Sequence, residues 1–172
     1  MDPPANAIVI IMGVAGAGKT TVGQALAKVI GAEFADADQF HSDDNKRKMA
    51  AGIALTDEDR MPWLNAMRSA IAEWSAHQQP AVLACSALKR SYRELLLSAA
   101  PQMLVVYLRV DEQLATRRLQ SRSGHYMKSN MIPGQFKTLE EPAADEAIIL
   151  DAALPVERIV ATICDHLQKP VS

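Results

Sequence analysis

The sequence predicts a three-layer α/β fold in which helices cover both faces of a five-stranded parallel sheet. One observation is a set of short apolar runs rich in β-branched residues, which is typical of strands buried on both faces. The other is that longer segments with helical periodicity separate these runs, as crossover helices would. The predicted strands lie near residues 8–11, 32–37, 82–85, 103–108 and 148–150, and the predicted helices near 19–30, 63–74, 90–99, 112–122 and 156–167.

The composition limits the number of domains, the partners and the compartment. The chain has 172 residues, 49% of them hydrophobic, and we expect residues 1–172 to form a single domain. The 18 basic and 20 acidic residues give a formal net charge of -2, which provides no broad positive field for nucleic acid or a membrane surface. Cys85 and Cys164 have no paired spacing, and no stretch approaches the roughly 20 apolar residues that span a bilayer. We therefore expect a soluble, cytoplasmic protein with reduced thiols.

The helical segments and the stretches between them lead to different expectations. Trp63, Met67, Ile71 and Trp74 form one apolar stripe that is expected in the core, and Pro62 is expected in the first turn of that helix. Residues 36–59 and 123–142 are polar and less regular, which is typical of mobile segments that face a substrate. Ligands of such sheets gather beyond the carboxyl ends of the strands, so we expect the site there.

A glycine-rich motif directly follows the first predicted strand. Residues 13–20 match the pattern Gly-x-x-x-x-Gly-Lys-Ser/Thr in full, between a strand and a helix as the pattern requires. Backbone amides and the helix N-terminus then bind phosphate, Lys19 bridges the β- and γ-phosphates, and Thr20 offers a hydroxyl to Mg²⁺. The alternative is a turn that merely joins strand to helix, but such a turn does not require lysine and threonine at these positions. The predicted nucleotide-binding residues are Gly13, Val14, Ala15, Gly16, Ala17, Gly18, Lys19, Thr20 and Thr21, and the predicted cofactors are ATP and Mg²⁺.

Two carboxylates follow the second predicted strand. Strand alternation places Asp36 and Asp38 on the same side. One can hold a water bound to magnesium while the other accepts the proton of an acceptor hydroxyl. A solvated loop or a helix cap is the equally good alternative.

From this point the residues resemble those of the gluconokinase family. Residues 36–42 (Asp-Ala-Asp-Gln-Phe-His-Ser) and 56–64 (Thr-Asp-Glu-Asp-Arg-Met-Pro-Trp-Leu) are similar to that family's segment after the second strand. Residues 85–89 (Cys-Ser-Ala-Leu-Lys), with Tyr92-Arg93, resemble its third-strand signature. Residues 118–142 resemble its lid region. Ala54 and Gly134 replace the usual proline and serine, which affects loop stiffness more than charge.

The resemblance implies a P-loop kinase fold of the shikimate kinase and nucleoside monophosphate kinase group, with a substrate-binding segment at about 36–60 and a lid at about 118–142. It implies that ATP phosphorylates the 6-hydroxyl of D-gluconate, in sugar-acid catabolism that feeds the pentose phosphate or Entner-Doudoroff route, and that the protein is a homodimer. The residues it implies are Lys19, Asp38, Arg118 and Arg122 for catalysis, Thr20 and Asp36 for Mg²⁺ (Asp36 through water), and Asp36, Asp38, His41, Lys48, Arg60, Ser86, Lys89, Arg93, His125 and Gln135 for substrate.

The physical properties of the basic residues agree with these roles and also leave alternatives. Arg60 offers a fork that matches a carboxylate, or it can pair with Asp57 or Asp59 at the surface. Lys89 and Arg93 share a helical face, which suits anion binding or a solvated surface.

The remaining candidates also have two readings each. His41 can hydrogen-bond to substrate or serve in packing or capping. Arg118 and Arg122 lie at a helix end, where they can swing over the γ-phosphate or favour the helix dipole. The rivals for the whole chain are a shikimate kinase, a nucleoside monophosphate kinase and a nucleotide sensor without turnover.

Overall fold

The computed structural model describes residues 4–122 and 131–169, and within them lies a five-stranded sheet. Its strands are β1 (Ile8–Met12), β2 (Glu33–Asp36), β3 (Ala81–Ala84), β4 (Leu104–Arg109) and β5 (Ile148–Asp151). All neighbouring strands are parallel, in the spatial order β2-β3-β1-β4-β5. The predicted α/β fold class is therefore confirmed.

Seven α-helices accompany the sheet in the described part of the chain. They are α1 (Lys19–Ile30), α2 (Asp43–Ala50), α3 (Asp57–Ala76), α4 (Arg90–Leu97), α5 (Glu112–Gln120), α6 (Ile132–Thr138) and α7 (Val156–Leu167), together with a 3₁₀ helix (Ala37–Phe40). None of them is long and apolar enough to cross a membrane.

The two faces of the sheet bury different side chains of the same strand. In β1, Ile8, Ile10 and Met12 join one core, whereas Val9 and Ile11 join the other, as the alternation of a strand requires. All five are at most 4% exposed, which explains why this run is continuously apolar. Helices α3 and α4 cover the first core, and α1, α5, α6 and α7 cover the second.

The segment predicted as irregular at 36–59 is largely helical. Its polar side chains cap helices: Asp36 accepts a hydrogen bond from the backbone of Asp38 in the 3₁₀ helix, and Ser42 caps α2 through the amide of Asn45. These residues favour helix ends because a short polar side chain satisfies the orphan amides there. The described end of the other irregular stretch contains α6, whose Ile132 is fully buried.

The position of Pro62 also differs from the expectation. Helix α3 begins at Asp57, so Pro62 lies in its second turn rather than its first. A capping box explains the earlier start, because the Thr56 hydroxyl accepts from the amide of Asp59 while the Asp59 carboxylate accepts from that of Thr56.

Candidate active site

A cavity of about 540 Å³ opens beyond the carboxyl ends of β1, β2 and β3. This is the edge at which open parallel sheets hold ligands. Residues predicted for nucleotide, metal and substrate binding line the same space. They are Ala15, Gly16, Gly18, Lys19, Thr20, Asp36, Asp38, His41, Arg60, Ser86, Lys89, Arg122 and Gln135.

Close packing requires glycine in the phosphate-binding loop. A Cβ on Gly16 would lie 2.4 Å from the backbone oxygen of Ala115, so α5 packs against the loop where no other residue fits. Gly18 has φ 93° and forms the N-cap of α1, which leaves the first amides of that helix directed at the cavity. The loop also donates from the amide of Gly13 to the carbonyl of Ser86, at 3.3 Å.

Lys19 lies half-buried inside this loop. Its Nζ donates to the carbonyl oxygen of Val14 at 3.0 Å. Burial lowers the pKa of Lys19, while the nearby carboxylates of Asp38 and Asp36 oppose that effect. Because its hydrogen-bond partner is a neutral carbonyl, this ammonium group is suited to an anionic ligand.

Thr20, Asp36 and Asp38 form a chain of hydrogen bonds beside Lys19. The Thr20 hydroxyl donates to Oδ2 of Asp36 at 2.7 Å, and Oδ1 of Asp36 accepts from the amide of Asp38 at 3.0 Å. Asp36 is thus both the cap of the 3₁₀ helix and the partner of the loop threonine. Hydroxyl and carboxylate oxygens are ligands that Mg²⁺ prefers, so this pair fits the predicted metal.

His41 and its neighbours form the wall opposite the loop. The His41 ring stacks on Trp63, with centroids 4.3 Å apart and planes within 6°. The indole is held in turn, because its Nε1 donates to the carbonyl of Ala37 at 2.7 Å. Trp63 was assigned to the core from its helical stripe, and it is 5% exposed, but it also lines the cavity.

The hydrogen bonds of the buried Asn45 determine the tautomer of His41. The Asn45 side-chain nitrogen donates to the carbonyl oxygen of Asp59 at 2.8 Å, which settles the orientation of the amide because a carbonyl only accepts. The same nitrogen lies 3.4 Å from Nδ1 of His41, so Nδ1 accepts and the ring proton is on Nε2. Burial, with Arg60 and Lys46 nearby, lowers the pKa of His41 to about 4. His41 therefore offers a neutral N–H donor.

Three cations and two carboxylates lie at the N-terminus of α3. Lys89 contacts both oxygens of Asp57, at 2.8 and 3.1 Å, and Lys48 contacts Asp59 at 2.9 Å. The pKa of each carboxyl group is lowered, in Asp57 by hydrogen bonds from Lys89 and Tyr92 and in Asp59 by those from the Thr56 amide and Lys48. Both acids are thus engaged elsewhere, and Arg60 has no carboxylate partner among the described residues.

Arg93 and Lys48 are not among the residues that line the cavity. Arg93 is 5% exposed and donates to the carbonyls of Ala87 and Leu88, at 3.0 and 3.1 Å. Ala87 has φ 44°, so Arg93 holds a strained turn in the loop that carries Ser86 and Lys89. A solvated face therefore does not describe this arginine, and its contact with substrate stays a prediction. The Lys48 ammonium group forms an ion pair with Asp59.

The two arginines at the end of α5 differ from one another. Arg118 donates to three backbone carbonyls, those of Gly16 at 3.4 Å, Ala17 at 3.1 Å and Ala152 at 2.7 Å. These bonds connect α5 to the phosphate-binding loop, and Arg118 is not among the residues that line the cavity. A position over the γ-phosphate stays a prediction for this residue. Arg122 does line the cavity and lowers the pKa of Lys19, so it lies near that ammonium group.

The described ends of the predicted lid also reach the loop. Oε1 of Gln135 in α6 accepts from the amide of Ala15 at 2.7 Å, so Gln135 lies at the nucleotide end of the cavity. Its contact with substrate stays a prediction. His125 and the rest of 123–130 lie outside the described residues.

Sequence reasoning missed several residues that line the cavity or support it. Asp57 appears in the sequence analysis only within the family resemblance and as a possible partner for Arg60, and Tyr92 only within that resemblance. The polar group of each is directed by residues far away in the chain, such as Lys89 for Asp57. No local pattern reports such a contact.

The comparisons with known proteins agree with this geometry. The family model for shikimate kinase matches residues 15–167. A thermoresistant gluconokinase of Escherichia coli (strain K12) is 38% identical over 164 residues, which are 94% of each chain. A probable gluconokinase of Mus musculus is 40% identical and covers 95% of this chain and 99% of its own.

Among solved structures, a gluconokinase from Sinorhizobium meliloti 1021 superimposes with a TM-score of 0.82 at 40% identity. The match covers 97% of this chain and 93% of that one. Identity at this level over nearly the whole length, together with the phosphate-binding loop and the cavity beside it, shows that the chain belongs to the gluconokinase family of P-loop kinases.

Proposed function

We infer that this protein is a gluconokinase that transfers the γ-phosphate of ATP to the 6-hydroxyl of D-gluconate, with 6-phospho-D-gluconate and ADP as products. One observation carries the inference beyond the family. The cavity that begins at the phosphate-binding loop also contains Arg60, a guanidinium with no carboxylate partner among the described residues. A planar fork of N–H donors suits a carboxylate, and gluconate has one.

At the nucleotide end, the amides of residues 13–20 and the N-terminus of α1 would bind the β-phosphate, with Lys19 on the β- and γ-phosphates. Arg122 would neutralise charge on the transferred group. Thr20 and Asp36 would hold Mg²⁺, Asp36 through water, and the metal would withdraw charge from the phosphate oxygens.

At the acceptor end, Asp38 would receive the proton of the 6-hydroxyl as its oxygen attacks the γ-phosphorus. The bond from this phosphorus to the β-γ bridging oxygen breaks, and ADP leaves with the electron pair. His41 would donate from Nε2 to another hydroxyl of the acceptor, while Arg60 binds the carboxylate. Apart from this proton transfer, the chemistry consists of positioning and charge neutralisation.

Shikimate is the second candidate acceptor, because the matching family model is that of shikimate kinase. A screen of ADP formation with D-gluconate, shikimate, glucose, D-glucitol and AMP tests both assignments and the nucleotide-sensor alternative. We expect rapid turnover with gluconate alone. Turnover with only shikimate or only AMP would show that the protein is a kinase with that acceptor instead of gluconate. Nucleotide binding without turnover on any acceptor would contradict the proposal that the protein is an enzyme.

Arg60→Met sharpens this test, with Arg68→Met on the exposed side of the same helix as its matched control. Loss of charge-assisted hydrogen bonds should reduce kcat/KM for gluconate by about 10- to 100-fold while the KM for ATP stays constant. An unchanged kcat/KM for gluconate would contradict the proposal that Arg60 binds the carboxylate.

Two further parts of the proposal concern the protein in the cell. A cytoplasmic location is supported by the use of ATP and by the unpaired thiols of Cys85 and Cys164. The homodimer rests on the family resemblance, and sedimentation velocity would test it.

A further inference from the structure

Tyr92 lies in α4 with its ring in the core and its hydroxyl at the acceptor end of the cavity. It is 7% exposed, and it also lines the cavity. Such a residue can fix the position of neighbouring groups because its own side chain has little freedom to move.

Two cations from different elements lie over this one ring. The guanidinium carbon of Arg60, in α3, is 5.9 Å from the ring centroid, and Nζ of Lys89, at the start of α4, is 5.5 Å from it. Each interacts favourably with the ring, but two like charges so close together repel one another unless an anion intervenes.

Asp57 is that anion, and among the described residues it forms an ion pair with Lys89 but not with Arg60. Its carboxylate binds Lys89 through both oxygens and accepts a hydrogen bond from the Tyr92 hydroxyl. The phenol has a single proton, which this bond consumes. The hydroxyl oxygen can therefore only accept from Arg60, and Nη1 of Arg60 lies 3.3 Å from it.

Of the three cations Lys48, Arg60 and Lys89, Arg60 is the one without an ion-pair partner among the described residues. Lys89 is balanced by Asp57 and Lys48 by Asp59, whereas Arg60 is held by a neutral phenol. One of its five N–H donors is directed at Tyr92, and no other hydrogen bond of this side chain exists within residues 4–122 and 131–169, so the remaining donors are available to a ligand.

We propose that Tyr92 is a specificity-determining positioning residue, which orients the Arg60 guanidinium to bind the carboxylate of a monoanionic polyhydroxy acid. This inference rests on the proposed function and extends it. The phenol does not touch the reacting atoms, and it acts through Arg60. Discrimination between an acid and the matching neutral polyol then depends on the phenolic oxygen as well as on the arginine.

The test is Tyr92→Phe, which retains the ring and deletes the hydroxyl. Gluconate and D-glucitol form a matched pair of acceptors, because they differ only in carboxylate against hydroxymethyl. In Tyr92→Phe we expect the gluconate KM to rise by about 5- to 20-fold, with kcat and the ATP KM within about 2-fold. The inhibition constant of D-glucitol should stay the same. Tyr107→Phe, which removes a phenol bound to Glu141 outside the cavity, is the control.

A double-mutant cycle separates orientation from general damage. In an Arg60→Met background, Tyr92→Phe should change the gluconate KM by less than about 2-fold, because the group it orients is gone. Arg60→Lys retains the positive charge but removes the planar pair of N–H donors, so it should raise the gluconate KM about as much as Tyr92→Phe does. This variant provides the test of guanidinium orientation if Tyr92→Phe folds poorly.

The outcomes distinguish this inference from the function on which it rests. An unchanged gluconate KM in Tyr92→Phe or Arg60→Lys, or an equal loss with and without Arg60, would overturn the role of Tyr92 and leave the gluconokinase intact. Absence of gluconate turnover in the wild-type protein would overturn both.

Discussion

The nucleotide half and the acceptor half of the cavity are built from different kinds of group. The nucleotide half consists of residues 13–20, to which Arg118 and Gln135 are hydrogen-bonded, and it presents mainly backbone amides from one continuous segment. The acceptor half, residues 36–60 and 86–92, presents side chains whose partners lie up to 35 residues away in the chain, as with Tyr92 and Asp57.

This difference predicts how each half responds to substitution. Phosphate binding by backbone amides depends on the loop conformation and on Lys19, so loss of either should reduce catalysis with every acceptor. An acceptor site of paired side chains should instead lose specificity when a single partner is removed, because the remaining groups rearrange or stay charged. The predictions below test that division, from the largest effect to the smallest.

Lys19→Ala should have the largest effect. It removes the ammonium group that neutralises phosphate charge, and we expect kcat to fall by about 10³-fold or more for all acceptors. The matched control is Lys28→Ala, an exposed lysine in the last turn of the same helix. A folded Lys19→Ala protein with near wild-type kcat would contradict the phosphate-binding role.

Asp38→Asn and Asp36→Asn should separate the two carboxylates. Loss of a proton acceptor should lower kcat by about 10²- to 10³-fold in Asp38→Asn, with little change in the ATP KM. Asp36→Asn should mainly raise the Mg²⁺ concentration that gives half-maximal rate. The control is Asp43→Asn, in an exposed turn of α2. A normal kcat in both Asp38→Asn and Asp36→Asn would show that these two carboxylates are structural.

Arg122→Ala and Arg118→Ala should differ in kind. Arg122 is exposed and lines the cavity, so we expect its loss to lower kcat by about 10²-fold, a small effect for a group that stabilises transition-state charge. The melting temperature should stay unchanged. Arg118→Ala should lower the melting temperature and raise the ATP KM, because it frees three backbone carbonyls. Identical effects in both variants would contradict this division, and exposed Arg117→Ala is the control.

The smallest effect concerns pH and stability. The pKa of His41 is about 4 in the folded protein and 6.5 in an ordinary environment, so between these values the unfolded chain binds a proton that the folded one does not. Acidification from pH 6.5 to 4 therefore favours unfolding. In thermal melts from pH 7.5 to 4.5, His41→Gln should show a shallower fall than the wild type, whereas the exposed His77→Gln should not. Parallel curves would show that His41 does not titrate in this window.

Local patterns in the sequence were sufficient for the sheet, for helices α1 and α7 and for the phosphate-binding motif. Strand burial and helix periodicity repeat over a few residues, and the Lys19-Thr20 spacing is itself part of the motif. The helices in 36–59 were missed because their signals are polar caps such as Ser42, which resemble loop residues when read alone.

Only the tertiary structure decided which charged groups are available to a ligand. By sequence, Arg60, Lys89, Arg93 and Arg118 were all candidates, yet Arg93 and Arg118 bind backbone carbonyls and Lys89 pairs with Asp57. The same acid could have paired with Arg60, three residues along its own helix, had α4 not brought Lys89 to it. The physical reason is that a charge is neutralised by whichever group lies within a few ångströms, and packing of distant segments sets those distances.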